Sequence, residues 1–483
     1  MDQPGWKFEY SYQKLPSTLF EPAHPRKVKS PKGLIFNEQL ASSINLDIDS
    51  LMSVAGVESL SGNTLPKGAV PISQAYAGHQ FGNFTNLGDG RAILLGEHRV
   101  SEEKIVDVQL KGAGRTPYSR NGDGLATLGA VLKEYIFGEA MHALGIPTTR
   151  TLAVIGTGEY VQRQKLQPGA VMTRVASSHI RIGTFEFACR EDISTLKELA
   201  DYAIKRHYPE LINTENPYVE FLKKTVDQQA YLVAQWMSVG FVHGVMNTDN
   251  ISISGETIDY GPCAFIDEYD LRSTFSSIDR HGRYAYGNQS KIMYWNICRF
   301  AESLLPLLHP NDVDLSIKAA QEILRTFPSV YETYWQQVFC KKIGFDSVTA
   351  NAVKLVNDLL EIMHDQRLDF TTTFRQLARG TLNHPAMQDW VKAWQLELLE
   401  SNRDLNHDLT KASQLMQVTN PVVIPRNHVI ASVIEDVETS GDLKPFLDLL
   451  EIIKNPFSEE FSGHTLAFPR PDGVPQTVTY CGT

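Results

Sequence analysis

A change of pattern part-way along the chain limits its fold more than any other feature. Residues 1–185 are rich in Gly, Thr and Val and carry short extended runs at 92–96, 105–111, 149–155 and 170–175, bounded by Gly or Pro as strands are. One helical period interrupts them over 125–144. There Leu128, Val131, Leu132, Tyr135 and Ile136 fall on one stripe, and Gly145 followed by Pro147 ends it. From Asp192 onward the periods are helical, first at 194–207 and 217–243. A short extended stretch follows at 251–260, and helical stretches then run from about 290 to 453. The pattern predicts an α+β protein in two lobes. Residues 1–185 form a β-rich N-terminal lobe with one main helix, and residues 186–483 a mostly helical C-terminal lobe. A ligand site is expected in the cleft between them.

A chain of 483 residues is long enough for two such cores. Its net charge of −11 argues against a general nucleic-acid binder, which carries a basic surplus or stripe. The longest apolar stretches, such as 231–242, are interrupted and too short to cross a bilayer, so no membrane partner is expected. The opening residues lack the apolar core of a signal peptide, and a cytoplasmic, monomeric protein is expected. Cys189, Cys263, Cys298, Cys340 and Cys481 are scattered and have no C-x-x-C spacing, which gives neither a zinc site nor a disulfide framework.

The chemistry concentrates at His243-Gly244-Val245-Met246-Asn247-Thr248-Asp249-Asn250, followed by Asp259-Tyr260-Gly261. The spacing resembles a kinase catalytic loop and the D-F-G after it, with His243 at the His, Asn250 at the metal-binding Asn and Asp259 at the D-F-G Asp. Nucleotide phosphates carry Mg²⁺ or a similar hard ion, which takes carboxylate and amide oxygens. An Asn and an Asp from neighbouring segments supply both. A turn at Asp249-Asn250 and a loop cap at Asp259 would need only the same residue types, but not in this spacing. One departure matters: Val245 stands where a kinase has its catalytic Asp. Asp249 is the nearest replacement for that proton acceptor.

Such a site also needs a strand Lys paired with a helix Glu. Lys111 ends the extended run 105–111, and Glu134 lies in the helix after it. Upstream, Gly88-Asp89-Gly90-Arg91 puts two glycines before a strand, where backbone amides approach phosphates closely. Between Lys111 and the helix runs a second Gly-rich loop that ends in Gly122-Asp123-Gly124, but it is not a Walker A loop. Arg174 and Arg181 read either as a clamp on a terminal phosphate or as surface salt bridges.

Four strings carry a family resemblance. They are Tyr76-Ala77-Gly78-His79-Gln80-Phe81-Gly82, the run from Gln109 to Arg120, Gly122-Asp123-Gly124, and the run from His243 to Asn250. By them the chain is similar, nearly end to end, to the selenoprotein O (SelO/YdiU) protein adenylyltransferases. The resemblance implies a pseudokinase-like fold that binds ATP in reverse orientation. Such an enzyme transfers AMP to Ser, Thr or Tyr hydroxyls of proteins and releases pyrophosphate. It implies nucleotide contacts from Gly88, Gly90, Arg91, Lys111, Asp123, Gly124, Arg174, Arg181 and Asp259, with Glu134 supporting Lys111. It also implies Mg²⁺ or Mn²⁺ on Asn250 and Asp259, with Asp249 as proton acceptor.

The family carries a Cys or selenocysteine near its C-terminus, matched here by Cys481, a candidate redox residue. Some members of the family pair this residue with the segment after the D-F-G equivalent; here the stretch 268–283 has no Cys and Cys263 is the only nearby candidate, beside a free tail thiol or one that pairs with another protein. Two other readings of the whole site stand beside AMP transfer: a kinase-like phosphotransferase, which Val245 opposes, and a catalytically inactive nucleotide-binding scaffold.

Overall fold

The computed structural model describes residues 4–402, 405–475, 477 and 479. Cys481 lies outside the described residues. The N-terminal part is built on strands β1 (Ile72–Gln80), β2 (Asn83–Gly88), β3 (Ala92–Arg99), β4 (Ile105–Lys111), β5 (Arg150–Gln162) and β6 (Leu166–Ala176). Among the described residues these belong to one ten-stranded sheet whose central order is β1-β3-β4-β6-β5, and all of their pairings are antiparallel. β5 and β6 are longer than the extended runs at 149–155 and 170–175 because the two make a single hairpin with its turn near Arg163.

The predicted helix is α1 (Leu128–Ala143), with Thr127 capping its N-terminus by accepting from the Ala130 N–H. Its first two expected residues beyond Leu125 form a short strand, Ala126–Thr127, on β6 instead. Three short helices, Glu38–Ser43, Ile48–Met52 and Val54–Leu60, join α1 in the N-terminal part, so it is the main helix there but has company. The apolar stripe of α1 is buried against the sheet, and α1 carries Glu134 inside with it.

Helix α2 (Ile182–Glu191) runs across residue 185, and the expected 194–207 helix follows as α3 (Ile193–His207). The 217–243 helix stops earlier, as α4 (Pro217–Ser238), because Gly240 takes a left-handed φ of 74° and turns the chain. Its start has Asn216 as cap and Pro217 at the first helical position. Strands β7 (Phe241–Val242) and β8 (Ala264–Phe265) then pair and clamp the base of the segment between them. The extended stretch at 251–260 is not a hairpin of strands. Only the single pairing Ile251–Thr257 closes it, and its outer partners are Arg181 and Thr148. The remainder is helical and includes α5 (Gln289–Leu308) and α6 (Asn427–Ser440). Among the described residues no helix is long and apolar enough to cross a membrane.

Candidate active site

Sheet register brings the first charges together. Arg174 on β6 lies opposite Gln109 on β4, and Lys111 follows two positions along the same face. Lys111 Nζ then meets Glu134 of α1 at 2.6 Å, the strand–helix pair expected from their order along the chain. Arg181 arrives by a different route. Residues 180–182 bond across to 251–253, with Ile182 N–H to Ile251 O at 3.0 Å and Ile253 N–H to Ile180 O at 2.9 Å. That pairing seats Arg181, the cap residue of α2, against the segment that follows Asp249 and Asn250.

All three cations converge on Asp259. Its Oδ1 accepts from Lys111 at 2.8 Å and from Arg174 at 2.7 Å, and its Oδ2 accepts from Arg181 at 2.6 Å. Arg174 also reaches Glu134 at 3.2 Å. Burial would raise the Asp259 carboxyl, but Lys111, Arg181 and Arg174 outweigh it and hold it well below the usual carboxylate range. Arg174 and Arg181 are 1% and 3% exposed, which removes the surface salt-bridge reading for both. Asp259 has a left-handed φ of 64°, a conformation Asp tolerates better than most residues. His243 holds the preceding residue: its Nε2 lies 2.9 Å from Ile258 O, so that nitrogen carries the proton and donates.

The cluster opens on a cavity of about 400 Å³. Gly88, Gly90, Arg91, Lys111, Asp123, Gly124, Glu134, Arg174, Arg181, Asp249, Asn250 and Asp259 all line it, and so does Val245. The whole set of described candidate residues therefore shares one space. At Gly88 a Cβ would come within 2.3 Å of the Tyr118 ring, so only glycine fits where the two loops of the cavity roof meet. Asp123 pairs with Arg163 at 2.7 Å on the rim. Asn250 donates its Nδ2 to Val245 O at 3.0 Å, which leaves its carbonyl oxygen as the group to offer.

Asp249 is nearly buried. Its Oδ1 has no hydrogen-bond partner, while Gln80 Nε2 stands 3.5 Å from Oδ2, at the limit of a bond. Burial lifts its carboxyl to about 6 against the pull of Arg181. Gly78 makes room for it: a Cβ there would lie 2.2 Å from Asp249 Oδ1. The hairpin β1–β2 thus closes over the loop, with His79 N–H bonded to Thr248 Oγ1 at 2.7 Å and Phe81 N–H to Asn247 Oδ1 at 3.0 Å.

Two buried residues that no motif flags hold the arginines in place. Gln109 accepts from Arg174 Nη2 at 2.6 Å and Nε at 3.2 Å, and donates its own Nε2 to Asp89 at 2.9 Å. Asp89 also faces Arg181 at 3.8 Å, and burial raises its carboxyl against that attraction. Lys111, Arg174 and Arg181 are thus matched by Asp259, Glu134 and Asp89. The only sequence signal was that Asp89 and Gln109 stand inside the Gly-rich and Lys111 strings.

A Gly-lined cavity holding a balanced cluster of cations and carboxylates defines a phosphate-handling nucleotide enzyme more readily than a hydrolase or an oxidoreductase. The comparisons agree. A family model described as protein adenylyltransferase SelO matches residues 5–454, and the chain belongs to that family. It is 49% identical over 486 residues to a protein nucleotidyltransferase YdiU of Anoxybacillus flavithermus, covering 99% of each chain. It is 48% identical over 490 residues to the protein of the same name from Halalkalibacterium halodurans, covering 99% of this chain and 98% of the relative. The Brevibacillus brevis protein of that name is 48% identical over 494 residues, covering 100% and 98%.

Proposed function

We propose that the chain transfers AMP from ATP to Ser, Thr or Tyr hydroxyls of proteins and releases pyrophosphate, on a kinase-like arrangement of its sheet-rich and helical parts. The observation that carries this reading is the convergence of Lys111, Arg174 and Arg181 on one carboxylate at the wall of a Gly-lined cavity. A triphosphate entering there offers the two arginines a stronger partner than Asp259, since guanidinium forks match phosphate oxygens well. With its outer phosphates held by the arginines, the α-phosphorus is left toward the Asp249 side. Gly88 and Gly90 let backbone amides approach the nucleotide, with Arg91, Asp123 and Gly124 around it.

The donor set fits a hard divalent ion such as Mg²⁺ or Mn²⁺: a carboxylate from Asp259 and the free carbonyl oxygen of Asn250. Among the described residues no group of three His, Cys, Asp or Glu is placed to hold a metal ion, so the remaining ligands would be phosphate and water oxygens. When bound, the ion neutralises charge on the phosphates. The chain's own part is then positioning and proton transfer. The acceptor hydroxyl attacks the α-phosphorus, the bond to the β-phosphate oxygen breaks, and the hydroxyl proton passes to the Asp249 carboxylate, which lines the cavity.

Incubation with Mg²⁺ or Mn²⁺ and ATP labelled at the α- or the γ-phosphate tests the reading. Protein-bound label from the α-position alone is expected. Label from the γ-position alone would make the chain a phosphotransferase, and ATP binding without label would make it a scaffold.

A further inference from the structure

Outside the cleft, one patch stands apart from a chain of net charge −11. Arg283 and Arg299 stack on Trp295, with their guanidinium carbons 4.9 and 5.2 Å from the ring centroid. Arg190 lies 3.7 Å over Phe84, which is itself 37% exposed. His79 joins the two aromatic groups, its ring edge-on to Trp295 and to Phe84.

The acids in reach leave two of these arginines unmatched. Glu186 is buried against His79, Asp279 accepts from the backbone N–H groups of Arg283 and Tyr284, and Glu302 pairs with Arg299 at 2.5 Å. Arg190 and Arg283 make no ion pair among the described residues, and the Nε atoms of Arg283 and Arg299 are buried without a hydrogen-bond partner.

The patch adjoins the reacting end of the cavity. Tyr284, next to Arg283, donates its hydroxyl to Asn247 Oδ1 at 2.5 Å, and Asn247 lines the cavity. The Arg283 guanidinium also lies 3.8 Å from where a Cβ on Gly82 would sit, at the tip of the hairpin over the loop.

We propose that Arg190 and Arg283, spread on Phe84 and Trp295 with the Glu302-paired Arg299 beside them, receive carboxylates of an acidic segment of the protein substrate beside its acceptor hydroxyl. The proposal rests on the adenylyltransferase reading. An acidic partner is repelled by most of this surface, so a local group of arginines steers it to one place and sets its direction. Stacking on aromatic faces fixes each guanidinium in advance and lowers the entropy lost on binding.

The test uses the full chain and three fluorescent Ser-containing peptides that differ only in residues flanking the serine: Glu, Gln or phosphoserine. Anisotropy reports binding independently of transfer, and α-labelled ATP reports transfer. The Glu peptide is expected to bind on the order of three- to tenfold tighter than the Gln peptide, with the advantage shrinking as salt rises. Arg283→Gln and, separately, Arg190→Gln are each expected to reduce that advantage while leaving ATP affinity and the Gln peptide unchanged. Equal binding of the Glu and Gln peptides, or binding of the phosphoserine peptide alone, would overturn the proposal. Continued α-label transfer to the Gln peptide in that case would leave the adenylyltransferase reading standing.

Discussion

Two buried arginine clusters in this molecule look alike on paper and differ in what surrounds them. In the helical part, Arg426 is fully buried and bonds Asp267 at 2.7 Å and Asp369 at 2.7 and 2.9 Å. Asp369 in turn caps the helix Phe370–Ala378 by accepting from the Thr372 N–H. Arg426 lines neither the candidate active-site cavity nor the space beside α1 and α6. At the cleft, Arg174 and Arg181 are equally buried, but the carboxylate they share sits at a cavity wall on a left-handed backbone. Burial and pairing alone therefore do not mark a functional site. Access from a cavity does, because only there can an incoming anion take over a cation that the fold has already desolvated.

The largest effect expected is at Asp259. Asp259→Asn keeps the shape but removes the charge shared by three cations, and transfer of α-label should fall by about 10³-fold or more. A fold check by circular dichroism separates this from unfolding. Retention of full transfer would remove Asp259 from the site.

Arg426→Met should do the reverse. It leaves Asp267 and Asp369 short of their cation, and urea unfolding should show a loss of about 3–5 kcal/mol. ATP affinity of the folded fraction should not change. Weakened ATP binding there would erase the distinction between the two clusters.

Gln109→Met sharpens the cleft side. Arg174 loses two bonds and Asp89 loses one, so ATP affinity should drop about tenfold or somewhat more, as for bonds to charged groups. Titration with ATP followed by calorimetry reads this directly.

Read per pH unit, the smallest effect expected comes from a buried cation with no acid beside it among the described residues. Burial lowers Lys342 from 10.5 to about 7, although its Nζ donates to Asn420 at 2.8 Å. Between those values the unfolded chain holds a proton that the folded one gives up. Stability should therefore rise with pH over that window, by at most about 1.4 kcal/mol per unit from this group. Lys342→Met should flatten that rise in unfolding curves taken at successive pH values.

What the sequence made legible follows the same division. The pairing of Lys111 with Glu134 could be read from order alone, because a strand end and the next long helix are neighbours in space. The loop from His243 to Asn250 and Asp259 was legible as a candidate for a similar reason, since its polar residues lie close together along the chain. Gln109 and Asp89 were not. Their roles depend on which strand faces which and in what register, and no local period encodes that. Arg426 was invisible for the same reason, with its partners 159 and 57 positions away. The stretch 251–260 read as strand because its β-branched residues favour extended backbone, yet it pairs one residue at a time with Arg181 and Thr148.

The central claim is that the two cleft arginines hold the outer phosphates of the nucleotide. Parallel calorimetric titrations of wild-type protein and Arg181→Gln with ATP and with AMP test it most directly. The account predicts that the variant loses ATP affinity by about tenfold or more while its weaker affinity for AMP stays as in the wild type. An equal loss for both nucleotides would place Arg181 away from the outer phosphates and contradict it.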